Sequence, residues 1–165
     1  MRKVVQPEFH DAPLSHAVSL PPESIALVEV TSEDPAYPVE SALQGEGLQG
    51  VGLQGEGLGW RAADAGPQRI RVVFAEPQTL RRISLVFEET ARQRTQEFTL
   101  RASRYSEGPF VEIVRQQWTF SPPATVREAE NYDVDLSEVA ALELAITPEI
   151  SGGSAHASLG SLRLY

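Results

Sequence analysis

The stretch Gln68-Arg69-Ile70-Arg71-Val72-Val73-Phe74-Ala75-Glu76-Pro77-Gln78-Thr79-Leu80-Arg81-Arg82-Ile83-Ser84-Leu85-Val86-Phe87 carries the fold. Ile70, Val72 and Phe74 alternate with Arg69, Arg71 and Val73. Successive side chains of an extended chain leave opposite faces, so this pattern predicts a half-buried strand. Ala75-Glu76-Pro77 reads as a turn, and Ile83, Leu85 and Phe87 then repeat the alternation as a second strand.

The same period of two continues toward the carboxyl terminus. Phe98 with Leu100, Val111 with Ile113, and Leu162 with Leu164 each mark a short strand. Tyr132, Val134 and Leu136 alternate with Asp133 and Asp135, and Leu142, Leu144 and Ile146 with Glu143 and Ala145. Turn chemistry separates these runs at Ser106-Glu107-Gly108-Pro109, Ser121-Pro122-Pro123 and Ser151-Gly152-Gly153. The intervals are too short for crossover helices, which points to an all-β antiparallel sandwich or barrel. A single helical turn is expected around residues 38–43.

A chain of 165 residues, 41% hydrophobic and 22% charged, has the size and composition of one globular domain. There is no cysteine, which excludes disulfides, thiolate metal sites and cysteine nucleophiles. Residues 1–24 read as an irregular arm without the apolar core of a secretory leader, and no window has the length of a membrane span. The expected location is the cytoplasm. Fourteen lysines and arginines against 23 acidic residues give a net charge of −9, which repels phosphate backbones and argues against a nucleic-acid partner. The one candidate basic cluster is Arg81-Arg82 with Arg92 and Arg94, read as solvated arginines flanking strands.

Three pentads beginning at Leu43, Leu48 and Leu53 (Leu-Gln-Gly-Glu/Val-Gly) run in tandem before Leu58-Gly59-Trp60. Two glycines in five weaken both helix and strand, so residues 43–59 read as an expanded surface loop, or as a leucine-studded loop that docks on a partner. Trp60 is expected in the core.

Catalysis needs a nucleophile within reach of a base, or carboxylates whose environments separate their pKa values. His10, His16 and His156 are scattered, and His10 and His16 with Glu8 and Asp11 match no metal-ligand spacing. Glu88 and Glu89 are adjacent and leave opposite faces of a strand, while Asp133 and Asp135 share the solvated face. A hydrolase using exposed carboxylates is the weakest reading, and no enzyme is expected. The segment from Arg115 to Pro123 is richest in recognition chemistry. Its amides and guanidinium exchange hydrogen bonds with hydroxyls or peptide, and Trp118 is either a stacking platform or, with Phe120, core.

The order of segments resembles the discoidin, or coagulation-factor type C, family. The similarity rests on Pro38-Val39-Glu40-Ser41-Ala42-Leu43, Gly59-Trp60-Arg61-Ala62, residues 68–74, Leu80 to Leu85, Gln96 to Leu100, and Ala157 to Leu164. The resemblance implies a galactose-binding-like jelly-roll β-sandwich over residues 25–165. It further implies a non-catalytic binding module with carbohydrate as the leading ligand class, some members taking lipid or protein instead, held by loops at one end. The site residues drawn from this reading are Arg92, Arg94, Arg115, Gln117 and Trp118. Members of the family often hold calcium through an aspartate before a glycine and a glutamate in the last strand. Here Gln44 precedes Gly45 and Ser161 replaces the glutamate, so no metal or other cofactor is expected. Trp60 to Gly66 with Ile70 to Val73 is also similar to the amino-terminal domain of a single-strand-break-repair scaffold. That similarity keeps open an intracellular protein partner or a second copy of the chain.

Overall fold

The computed structural model describes residues 19–43 and 59–165. Eight strands dominate it: β1 (Ile25–Val30), β2 (Trp60–Ala65), β3 (Gln68–Glu88), β4 (Arg94–Ser103), β5 (Val111–Phe120), β6 (Arg127–Thr147), β7 (His156–Leu159) and β8 (Ser161–Leu164). One helical turn, α1 (Glu40–Leu43), forms where the sequence expects it. The first 18 residues and the repeat beyond Leu43, residues 44–58, with the loop expected there, lie outside the described residues.

β3 and β6 are each 21 residues long and pair antiparallel along their length. The expected turn at Ala75-Glu76-Pro77 does not divide β3, which stays extended through it. Instead its register against β6 shifts at three places between Val73 and Arg82. The inward parity also changes, from Ile70, Val72, Phe74 and Leu80 to Ile83, Leu85 and Phe87. A bulge bends the strand and reverses which side chains face the core, and Pro77, with no amide to donate, fits such a break. The two runs expected around Tyr132 and Leu144 are likewise one strand, bent where Glu138 takes φ of 54°.

The bends split the ladder into two leaves. The first half of β3 and the second half of β6 lie within the order β1-β3-β6-β4-β5. The second half of β3 pairs with β8 on one side and the first half of β6 on the other. The fold is an all-β jelly-roll sandwich, as expected. A separate pair, β2 with β7, brings Trp60 against Leu159. Trp60 is 1% exposed, and Phe87 stacks on Phe98 at 5.1 Å with Tyr132 edge-on at 6.4 Å. Apolar side chains from both leaves thus meet in one core, the burial that holds such a sandwich together.

Candidate functional site

The strand registers define two ends. At one, the bends of β3 and β6 meet the carboxyl terminus, where Leu20 donates to the Leu164 carbonyl and Tyr165 accepts from Arg81 and Arg82. At the other lie the segment between β1 and α1, the Gly66-Pro67 turn, and segments 89–93, 121–126 and 148–155.

Side chains hold these loops. Gln68, buried at the start of β3, accepts from Thr31 Oγ1 at 2.6 Å and Ser32 Oγ at 2.8 Å, pinning the segment after β1. Arg94 is 3% exposed. Its Nε donates to Glu89 Oε1 at 2.8 Å and its Nη1 donates to the Pro148 carbonyl at 2.8 Å, so one guanidinium joins two loops. The same group lies 4.9 Å from the Phe120 ring centre. Glu149 fixes the third connection, accepting from the Ser151 amide and hydroxyl through Oε1 and from the Thr95 amide through Oε2. The Ser151 amide leads the interactions that hold its carboxyl below the ordinary range, so it stays ionised at neutral pH.

Between the Gly66-Pro67 turn and Thr147 to Ala155 lies a cleft of about 260 Å³. Gly152 and Gly153, at φ of 85° and 104°, make the tight turn on its rim. Ile150, half exposed, supplies the apolar surface, and Glu149 supplies fixed acceptors. The lining contains no aromatic ring, so the aromatic floor expected of a sugar pocket is absent from this cleft.

The five residues singled out in the sequence do not converge. Arg92 is exposed in the 89–93 loop at the cleft end and makes no ion pair with any described residue. Arg94 is buried beneath that loop as its anchor. Arg115 and Gln117 lie on the outer face of the larger leaf, where Arg115 Nη1 and Gln117 Nε2 donate to the two oxygens of Glu97. Trp118 points the other way, half-buried against the core, with its Nε1 buried and unpartnered. Residues 115 and 117 must face away from 118 on a strand, a signal legible in the sequence. The expected basic cluster also disperses. Arg81 and Arg82 are ion-paired to Asp135 and Asp133, far from Arg92 along the sandwich. Among the described residues no group of three histidine, cysteine or acidic side chains could hold a metal, and no helix is long and apolar enough to cross a membrane.

Neither a family model nor a curated protein matches this chain. Solved structures do. A module of Clostridium perfringens in complex with GalNAc-β-1,3-galactose matches with a TM-score of 0.58 and 16% identity over 90% of this chain and 99% of that one. The family 32 carbohydrate-binding module of C. perfringens NanJ, in complex with galactose, gives 0.54 and 16% over 84% and 91%. The corresponding module of AlyQ, in complex with 4,5-unsaturated mannuronic acid, gives 0.56 and 14% over 86% and 95%. At these identities the likeness establishes the fold. It bears on the discoidin resemblance and not on the resemblance to the repair scaffold.

Proposed function

We propose that this chain is a non-catalytic carbohydrate-binding module whose ligand sits at the loop end, against the cleft beside Ile150 and Glu149. The observation that carries this reading is the near end-to-end match to modules solved with sugars bound. Supporting it, the loop end combines a half-exposed apolar side chain, pre-oriented carboxylate oxygens and the unpaired Arg92. Sugars present alternating apolar C–H faces and hydroxyls, which such a mixture suits. The test is a thermal-shift and calorimetric screen against mono- and oligosaccharides, because a ligand of the folded state raises the melting temperature. A saturable shift that Ile150→Asp removes in a folded variant supports the reading. Millimolar sugars without effect overturn it.

A second reading, docking of a protein partner, is favoured by Tyr105 and Val111, 66% and 70% exposed around the β4–β5 loop at the opposite end. Capture of a defined partner that Tyr105→Ala abolishes, with sugars inert, would favour it.

A further inference from the structure

The sandwich interior holds a carboxyl group that the cleft does not use. Glu128, on the inward side of β6, is 1% exposed, and neither of its oxygens has a hydrogen-bond partner. Gln96 of β4, fully buried, faces it without reaching hydrogen-bond geometry. The Gln96 amide is engaged at its other end, where Oε1 accepts from Arg94 Nη1 at 3.1 Å. Arg94 is the residue that joins the 89–93 loop to Pro148. Gln96 therefore stands between Glu128 and Arg94, bonded to the arginine and facing the carboxyl, on the way from the core to two loops of the proposed binding end.

The charged and titratable groups around Glu128 are few. Glu130 and Tyr132 share its strand, and β4 contributes Arg94, beyond which stand Glu89 and Glu149. β3 presents Phe87 on its inward side, and β5 presents Gln116, Trp118 and Phe120, none of which titrates. Burial is the main force against ionisation, the Glu130 charge adds to it, and Gln96 and Arg94 offset only part, leaving Glu128 at about 8.

We propose that the proton on Glu128 switches the loop end between two arrangements. While it is bound, Arg94 is free to hold Glu89 and the Pro148 carbonyl. When it leaves for solvent, the carboxylate draws the Gln96 amide and the Arg94 guanidinium inward, and the 89–93 and 147–153 segments lose their shared anchor. The effect on ligand affinity rests on the carbohydrate-binding reading, but the movement of the loops does not.

Hydrogen exchange of the sugar-free protein, corrected for intrinsic rates, tests the switch from pH 6 to 9.5. Protection of residues 89–93 and 147–153 should fall at least several-fold with a midpoint near 8, and Glu128→Gln should keep it flat. Equal pH profiles in the two proteins overturn the proposal. If Glu128→Gln does not fold, carboxyl NMR of the wild-type protein decides: a Glu128 titration in the ordinary glutamate range overturns the proposal, and one near 8 that coincides with shifts of the loop amides supports it. Because no sugar is present, failure here leaves the proposed function standing.

Discussion

Arg94 and Glu89 are joined at 2.8 Å beneath the loop end, with the arginine side chain only 2% exposed and the glutamate 17%. Removing one member of a buried ion pair leaves the other without its partner, which costs about 3–5 kcal/mol when both are fully buried and less where one is partly hydrated, as Glu89 is. The guanidinium also carries the Pro148 and Gln96 contacts, which a lysine reproduces poorly because it lacks the planar fork. Arg94→Lys should therefore lower the unfolding midpoint by roughly 2 kcal/mol equivalent, with amide protection lost first in the 89–93 and 147–153 segments. A surface variant such as Arg92→Ala should leave both unchanged while weakening ligand binding, as calorimetry would read.

Glu128 makes stability depend on pH in a defined direction. Its folded-state value, about 8, lies above the ordinary value of 4.5, so the folded protein holds the proton more tightly than the unfolded chain. The stabilisation is complete below 4.5 and is lost as pH rises toward 8, at a slope of at most ~1.4 kcal/mol per pH unit. Glu128→Gln should match the wild type near pH 4 and exceed it by a few kcal/mol at pH 8.5. Urea unfolding at four pH values measures the divergence.

Gly59 should tolerate no side chain. Its φ is 85°, and a β-carbon there would lie 2.1 Å from the Leu159 carbonyl oxygen and 2.7 Å from the Gly160 α-carbon. Both obstacles are backbone, so the β2–β7 pair would have to separate. Gly59→Ala should cost at least ~3 kcal/mol, combining left-handed strain with lost pairing, and denaturant melts would show it.

Arg115 and Gln117 belong to a surface ladder around Glu97 on the outer face of the larger leaf. Exposed ion pairs of this kind contribute roughly 0–1 kcal/mol. The double variant Arg115→Ala/Gln117→Ala should thus fold normally and bind any sugar ligand as the wild type does. A large loss of affinity would move the site from the loop end to the sheet face.

The sequence alone determined that the segments around Ile70, Ile83, Phe98, Tyr132, Leu144 and Leu162 are extended and which of their side chains turn to the core. Each rests on the two-residue repeat of an extended chain, and burying one face of each strand admits few alternatives: Ile70, Val72, Phe74, Ile83, Leu85, Phe87, Leu142, Leu144 and Ile146 all lie inside. That repeat also puts Trp118 and Arg115 on opposite faces, which the grouping of Arg115, Gln117 and Trp118 into one site did not take into account. What the sequence could not state is where long strands bend. Pro77 marks a turn in an isolated segment, yet here it sits within β3, because pairing with β6 on the far side of the bulge stabilises an extended chain more than a local turn would. The loop end is likewise a tertiary product. Glu89, Arg94, Pro148 and Glu149 are separated by up to 60 residues and meet only because β4 and β6 pair side by side. Nothing in the sequence singles out Glu128 from the other acids before Tyr132. Glu128 is buried because the smaller leaf closes over β4, and that burial first, with the Glu130 charge second, keeps its proton bound.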